Sequence, residues 1–255
     1  MTIRIIRPQA DPPPIAPRPP TEAPSPATLA ASGLAEGPGG WWLAPEGAIV
    51  HPGESTAIVA DLHLGYEWSR GAGGDVVPAP SLAEAIADLG SLLDRVRFDR
   101  LIVAGDLVES ARRCRRTEAD FRGLADWLGA RGVELIPVLG NHDSQRHPRP
   151  PLTVDVAGWT IGHGHRPIPG DRTIRGHDHP ILKVGRTVAR CLLVSETAIV
   201  LPAFTANAAG LNVAGPPAPV RWVGQGFHCW AGGPSRVLDF GPIDTLAERV
   251  AGVSP

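Results

Sequence analysis

The sequence contains little cysteine and no long apolar run. Its three cysteines, Cys114, Cys191 and Cys229, are an odd number at wide spacing, which argues against a disulfide-stapled fold and fits a reducing compartment. No segment approaches the roughly 20 apolar residues that a membrane-spanning helix needs. The N-terminal residues also lack the apolar segment of a secretory signal. We therefore expect a cytoplasmic protein without membrane contact.

A strong net charge is also missing, and lysine is almost absent. Lysine and arginine total 24 against 26 aspartate and glutamate residues, and Lys183 is the single lysine. This balance does not indicate a globally basic nucleic-acid binder, although it leaves room for a local basic patch. Positive charge is therefore carried by arginine, whose planar guanidinium suits phosphate recognition.

Proline is concentrated at the N-terminal end of the chain. Residues 1–40 hold ten of the 28 prolines, and few large apolar residues lie between Ile6 and Trp41. Such a segment buries too little surface to offset its ordering entropy, so we predict a disordered Pro-rich tail over residues 1–40. A docking arm for a proline-recognising partner is the alternative interpretation. The remaining residues, 41–255, are long enough for one domain with its own core.

The pattern of apolar residues changes near residue 150. Before it, apolar runs alternate with segments of helical periodicity, whereas short strand-like segments dominate after it. A βαβαβ half followed by a β-rich half is typical of a layered α/β sandwich. Pro137 weakens one strand prediction, since proline removes a donor from the ladder. The predicted strands are 57–61, 101–106, 133–141, 153–162, 172–176, 181–185, 188–194, 197–201, 219–223 and 235–239, and the predicted helices are 81–98, 117–131 and 244–250.

Side chains of the kind that bind metals follow the ends of several predicted strands. Ligands of α/β sheets bind at the carboxyl ends of the strands, so these segments can deliver carboxylate, amide and imidazole groups to one edge. Glycine before a ligand lets the backbone turn tightly off the strand. In D-x-H and H-x-H pairs, both side chains face the same side of an extended strand. The segments are DLH (61–63), GD (105–106), GNHD (140–143), GHGH (162–165) and GHDH (176–179).

The donor types predict a site for two divalent metal ions. Mixed Asp, Asn and His donors without cysteine suit Mn²⁺, Fe or Zn²⁺ better than Ca²⁺ or Mg²⁺. Seven ligands are too many for one tetrahedral ion but fit two ions that share a bridging carboxylate. We predict Mn²⁺, with Fe and Zn²⁺ as alternatives. The predicted ligands are Asp61, His63, Asp106, Asn141, His163, His177 and His179.

This ordered set of motifs resembles the calcineurin-like metallophosphoesterases. The stretches ADLHLGYE (60–67), GNHD, GHGH, GHDHP (176–180) and LPAF (201–204) are similar to the small phosphoesterases related to the SbcD nuclease and to ligase-associated endonuclease-like proteins. The resemblance covers about residues 56–215 and implies a four-layer α/β/β/α sandwich. It also implies that one metal is held by Asp61, His63, Asp106 and His179, and the second by Asp106, Asn141, His163 and His177.

The resemblance further implies a mechanism of phosphoester hydrolysis. A hydroxide between the ions would attack phosphorus, and His142 beside the scissile phosphate would act as acid or transition-state stabiliser. An acid histidine needs an orienting partner. Glu109 is the predicted partner, with Asp143 as the alternative. His165 either supports a ligand or lies on the surface.

Arginines near the motifs suggest how a substrate is held. Four arginines between residues 112 and 116 form either a patch that grips phosphates or a solvated helix start. Arg112 and Arg146 are the predicted substrate-binding residues. Trp68 either stacks on a base or packs the loop of the site.

Three functions follow from these observations. The first is a dinuclear phosphodiesterase acting on DNA or RNA, such as a nuclease in DNA processing. The second is a phosphatase or phosphodiesterase of small nucleotides, which the near-neutral charge favours. The third is a non-catalytic scaffold that binds metal without turnover. The sequence indicates no particular protein partner.

Overall fold

The strands of this chain form two β-sheets packed face to face, with helices on their outer faces. The computed structural model describes residues 23–77, 81–144, 149–205, 207–215 and 222–251. The order of the layers is helix, sheet, sheet and helix. The predicted four-layer α/β/β/α sandwich is therefore confirmed.

The first sheet has six strands that lie side by side in chain order. They are β1 (Ala35–Glu36), β2 (Trp42–Leu43), β3 (Ile49–His51), β4 (Thr56–Val59), β5 (Arg100–Ala104) and β6 (Glu134–Val138). The first four pair antiparallel, whereas β4, β5 and β6 pair in parallel. The parallel strands bring their carboxyl ends to one edge. Pro137 lies inside β6, which accommodates it because β6 is an edge strand.

Two long helices connect the parallel strands and cover the outer face of the first sheet. The α-helices within the described residues are α1 (Pro26–Ala31), α2 (Tyr66–Ala72), α3 (Ser81–Arg95), α4 (Arg115–Gly129) and α5 (Ile243–Ala251). Helix α3 buries Leu89 and Leu92 and helix α4 buries Leu124 and Leu128, as their helical periodicity predicts. In the described ranges, no helix is both long enough and apolar enough to cross a bilayer.

Among the described residues, nine strands form the second sheet. They are β7 (Thr153–Val156), β8 (Trp159–Gly162), β9 (Thr173–Arg175), β10 (Pro180–Val184), β11 (Thr187–Val194), β12 (Ala198–Val200), β13 (Leu211–Asn212), β14 (His228–Gly232) and β15 (Val237–Pro242). Their spatial order is β13–β10–β11–β12–β9–β8–β7, and β14 and β15 continue from β11. Helix α5 packs on the outer face through Ile243 and Leu246.

In this half, one predicted strand is two strands in the structure, and a second lies only partly within the described residues. The segment predicted as one strand over 153–162 is the hairpin of β7 and β8, because Ala157 and Gly158 form a turn with positive φ. Of the strand predicted over 219–223, residues 219–221 lie outside the described residues, and Trp222 and Val223 lie in a turn.

A continuous apolar layer joins the two sheets. The eight residues named below are each at most 1% exposed, so the relative position of the sheets is tightly constrained. This packing holds the carboxyl ends of β4 and β5 close to those of β8 and β9. The layer includes Ile49, Ile58, Ile102 and Val138 from the first sheet and Trp159, Ile161, Ile174 and Leu192 from the second.

The predicted tail boundary at residue 40 is corrected by the structure. Residues 23–40 are folded, because Leu29 and Leu34 are only 2% and 4% exposed and join the core beneath the helices of the first sheet. Strand β1 in this segment pairs with β2. Two buried leucines are thus enough to fix a segment otherwise poor in apolar residues. Residues 1–22 of the predicted tail lie outside the described residues.

Candidate metal centre

The seven predicted metal ligands meet where strand ends of the two sheets come together. The main chain continues the parallel pairing beyond β4, since the N–H of His63 donates to the carbonyl of Asp106 at 2.9 Å. Contacts between side chains then link the two sheets, as described below. The ligands follow β4 (Asp61, His63), β5 (Asp106), β6 (Asn141), β8 (His163) and β9 (His177, His179).

Five of these ligands have a left-handed backbone conformation. In the described part of the chain, only seven residues other than glycine have a positive φ. Such conformations cost about 1–3 kcal/mol each and persist where the surrounding structure holds them, which is often at functional sites. Their concentration at these strand ends therefore indicates a functional site. The five are Asp61, His63, Asp106, His177 and His179, with φ between 44° and 70°.

Asp61, His63 and His179 form the first ligand group, with donor atoms within 4.8 Å of one another. Oδ2 of Asp61 lies 3.4 Å from Nε2 of His179, whose Nδ1 is held by the carbonyl of Ala209 at 3.1 Å. Nε2 of His63 is buried and makes no hydrogen bond within the described structure, whereas Oδ1 of Asp61, equally buried, has Nδ1 of His163 as a neighbour at 3.3 Å. Buried polar atoms without partners are costly, so this group fits a divalent cation.

Asp106, His163 and His177 form the second ligand group. Nε2 of His163 lies 3.2 Å from Oδ2 of Asp106 and 3.1 Å from Nδ1 of His177. The amide oxygen of Asn141 lies 2.9 Å from the same nitrogen. Three further donors thus surround one imidazole nitrogen. Oxygen and nitrogen donors without thiolate also fit a divalent ion of the Mn²⁺, Fe or Zn²⁺ type.

His163 lies between the two ligand groups. Its Nδ1 is 3.3 Å from Oδ1 of Asp61, while its Nε2 contacts Asp106. Burial would lower the pKa of His163, but hydrogen bonds and charges of the two carboxylates outweigh it and raise the pKa to about 10. Burial would raise the pKa of Asp61, yet its contacts with His163 and His179 lower it to about 2. The Asp61 carboxylate is therefore ionised at neutral pH, and the centre attracts positive charge.

Glycines before the ligands allow the two sheets to approach closely. At Gly105, where φ is +88°, an added Cβ would lie 2.2 Å from Nδ1 of His163. At Gly140, an added Cβ would lie 2.1 Å from Oδ1 of Asp106. Any side chain at either position would displace a ligand, so the structure explains the predicted glycine pattern.

His142 lies half-buried at the rim of the site. Its main-chain N–H donates to Oδ1 of Asp106 at 2.9 Å, and its Nε2 lies 3.9 Å from Oδ2 of the same carboxylate. Nδ1 hydrogen-bonds the main-chain carbonyl of Glu109. Because a carbonyl only accepts, Nδ1 carries a proton. This leaves Nε2 on the side of the ligand groups.

The structure corrects the expected role of the Glu109 carboxylate. Its Oε2 lies 2.8 Å from Nδ1 of His63, and the main-chain carbonyl is the group of Glu109 that hydrogen-bonds His142. The donor atoms of Glu109, His63 and His142 also lie within 4.8 Å of one another. The predicted contact between Glu109 and His142 thus exists, but through a main-chain atom.

Asp143, the alternative partner, braces the loops of the site. It is 1% exposed, and its carboxylate accepts the main-chain N–H groups of Leu107 and Val108 at 3.3 Å and of Gly140 at 3.1 Å. These residues belong to the segments that follow β5 and β6. Asp143 therefore joins two ligand-bearing loops.

Only one of the two predicted substrate-binding arginines lies within the described residues. Arg112 is exposed in the loop before α4, and Arg146 lies outside the described residues. Trp68 donates from its indole N–H to Asp120 at 2.6 Å, and the guanidinium of Arg116 lies 4.8 Å from the centre of its ring. Trp68 is therefore held against α4 by protein contacts, as in the packing alternative.

The sequence analysis did not identify two groups that hold parts of the site in place. The carbonyl of Ala209 fixes the ring of His179, and a main-chain acceptor has no signature in the sequence. Asp178, between two ligands, is 4% exposed and accepts the indole N–H of Trp222 at 3.0 Å. Its position between His177 and His179 is a signal that sequence reasoning could have used.

Comparison with known proteins agrees with this geometry. Residues 55–165 match the family model described as calcineurin-like phosphoesterase, and they contain five of the seven predicted ligands, from Asp61 to His163. The crystal structure of Pseudomonas putida nuclease MPE matches with a TM-score of 0.61 at 23% identity, covering 80% of this chain and 98% of that chain. At this identity the likeness shows the fold alone. No curated protein matches the sequence.

Proposed function

Because the chain belongs to the calcineurin-like metallophosphoesterases and is a metal-dependent phosphoesterase, we propose that it cleaves phosphodiester bonds in nucleic acid. The observation that carries the proposal is the pair of ligand groups that meet through His163 at the strand ends. The nuclease named above, which shares the fold, supports this substrate class. We further propose a cytoplasmic location, which the three free cysteines support.

The two ligand groups would hold two divalent cations, for which we propose Mn²⁺. Asp61, His63 and His179 would hold one, and His163, His177 and Asn141 the other, with Asp106 shared between them. Such cations supply charge neutralisation and Lewis acidity to a phosphoester. The chain's own carboxylates keep the ligand side of the site negative, and its glycines keep the two groups close.

His142 would act on the leaving group through Nε2. Its Nδ1 proton is committed to the carbonyl of Glu109, so the ring is held in one orientation. The ring is half-buried, so Nε2 is accessible to a substrate while lying 3.9 Å from Asp106. In the imidazolium form, Nε2 carries a second proton, and its transfer or hydrogen bond to the departing oxygen contributes about 10²–10⁴-fold to the rate in general acid catalysis.

The test compares a diester with a monoester. Metal-stripped protein with added Mn²⁺ is assayed on bis(p-nitrophenyl) phosphate, on p-nitrophenyl phosphate and on a single-stranded oligonucleotide. We expect faster cleavage of the diester, cleavage of the oligonucleotide, and a loss of about 100-fold or more in kcat for His142→Ala. His228→Ala is the control, because His228 lies on β14 and pairs with Asp239.

Other outcomes would contradict the proposal. Preference for the monoester would indicate a phosphatase of small nucleotides. Metal binding without turnover of any of the three substrates would indicate a scaffold. Equal activity of His142→Ala and the wild type would remove His142 from the mechanism.

A further inference from the structure

A polar cleft opens beside the second ligand group. It has a volume of about 320 Å³ and is lined by residues 164–168, Thr173 and Arg175. The ring centre of His165, which lines it, lies 5.2 Å from that of His163 and 6.3 Å from that of His177. The cleft therefore begins next to the predicted metal ligands, within reach of a substrate that extends beyond one phosphate.

The cleft presents guanidinium groups to solvent. Arg166 is exposed at its wall, and Arg175 is half-buried within it. Nη2 of Arg175 lies 3.5 Å from Oδ2 of Asp178, a buried carboxylate that fixes the side chain and offsets part of its charge. The residues that line the cleft are all described, and none of them is acidic. The lining thus favours an anion.

His165 adds an unsatisfied buried atom to the cleft. Its Nδ1 is buried and makes no hydrogen bond within the described residues. Leaving a buried polar atom unpaired costs free energy, and an anion in the cleft would supply an acceptor for a ring N–H. This observation is independent of the arginines and points to the same kind of ligand.

We propose that this cleft, formed by His165, Arg166, Thr173 and Arg175, binds a second phosphate of the substrate beside the one that is cleaved. The inference rests on the proposed function, in which the two ligand groups position the scissile phosphate. Guanidinium groups pair with phosphate oxygens through charge-assisted and often bidentate hydrogen bonds. The second phosphate is either internal to a strand or at its 5′ end.

Binding without turnover tests the cleft directly. A fluorescent single-stranded oligonucleotide, with or without a 5′-phosphate, is titrated with protein in EDTA over a series of salt concentrations. We expect Arg166→Ala to weaken binding roughly threefold to tenfold at low salt and to reduce the slope of log K against log salt by about 0.7, as one lost phosphate contact requires. Equal losses with both oligonucleotides identify an internal phosphate, and a loss confined to the phosphorylated one identifies a terminal phosphate.

Arg172→Ala is the matched control. Arg172 is exposed, and its guanidinium lies over the ring of Trp159 outside the cleft. We expect Arg172→Ala to leave both the affinity and the salt slope close to the wild-type values. An unchanged salt slope, or an equal change in Arg172→Ala, would overturn the inference. If the wild type cleaves no diester, the proposed function fails, whereas the salt slope measured in EDTA still decides whether the cleft binds phosphate.

Discussion

Two groups of Glu109, its main-chain carbonyl and its side-chain carboxylate, contact histidines of the candidate metal centre. Its main-chain carbonyl accepts a hydrogen bond from His142, and its carboxylate lies 2.8 Å from Nδ1 of His63. A carboxylate at one ring nitrogen selects the tautomer and leaves the other nitrogen to bind metal. Both ring nitrogens of His63 are buried and neither makes a hydrogen bond within the described structure, so Nδ1 has the Glu109 carboxylate as a close charged contact and Nε2 has none. We therefore expect Glu109 to act as a positioning residue for His63.

We expect Glu109→Gln to weaken Mn²⁺ binding about 10–100-fold, the usual cost of losing such a support. The main-chain contact to His142 stays in place. Isothermal titration of metal-stripped protein with Mn²⁺ measures the change, and Glu248→Gln, at an exposed position of α5, is the control. Unchanged affinity together with an altered pH–rate profile would show that the carboxylate serves His142 instead.

Alanine substitutions at two glycines with positive φ distinguish the cost of a left-handed backbone from the cost of steric crowding. An added Cβ at Gly105 would lie 2.2 Å from Nδ1 of His163, whereas at Gly132 it would meet nothing within 4 Å. We expect Gly132→Ala to cost about 1 kcal/mol of unfolding free energy for the left-handed conformation alone. Gly105→Ala will cost more and will lower the bound metal per chain. Urea unfolding and elemental analysis measure the two effects, and equal losses in both variants would refute the crowding argument.

The sequence could predict which candidate ligands converge, because their chemistry lies in the side chains. Asp61, Asp106 and His163 stand at strand ends where a motif and a hydrophobic run coincide. The role of Glu109 was not predictable in the same way. A spacing of three residues after Asp106 does not reveal whether the carbonyl or the carboxylate faces His142.

At the scale of elements, Asp143 links the segments that follow β5 and β6. Its buried carboxylate accepts three main-chain N–H groups from those segments. We expect Asp143→Asn to lower the unfolding free energy by about 3 kcal/mol, because the amide cannot accept all three bonds and leaves buried N–H groups unpaired. Urea unfolding measures this. Asp94→Asn, at an exposed position of α3, is the control, and an equal effect in both variants would contradict the bracing role.

The sequence pattern predicted the long elements and several short strands, but it missed the two-residue strands β1, β2 and β13. Helices α3 and α4 show a repeat of apolar residues over many positions, and β4 and β5 are continuous apolar runs. Strand β13 has two residues, too few for any period to be read. Such strands form because a neighbour offers hydrogen bonds, which is a property of the assembled sheet.

At the scale of the whole molecule, the folded part begins before the predicted domain boundary. Leu29 is 2% exposed within the core beneath α3 and α4. We expect Leu29→Ala to lower the unfolding free energy by about 2–5 kcal/mol, the usual cost of a cavity in a core. Leu152→Ala removes the same atoms from a residue that is 50% exposed, and we expect it to cost about 0.5 kcal/mol or less. Similar values for the two variants would place residues 23–40 outside the cooperative unit.

The prediction of a disordered tail was wrong for residues 23–40 because composition does not register individual buried side chains. Composition is averaged over all of residues 1–40, so the many prolines outweigh the two leucines that become buried in the core. Burial of a single leucine side chain contributes about 1.5–3 kcal/mol. Whether a leucine finds that place depends on residues far along the chain.

Pro137 has a consequence for how copies of this chain meet. Strand β6 is an edge of the first sheet, and an edge with free N–H groups is a template for a strand from another molecule. Proline withholds one of those groups in the middle of β6. An intermolecular ribbon is thereby discouraged beside the loop that carries Asn141 and His142. Pro137 makes β6 harder to recognise in the sequence. It also disfavours aggregation through this edge, which would block access to the candidate metal centre.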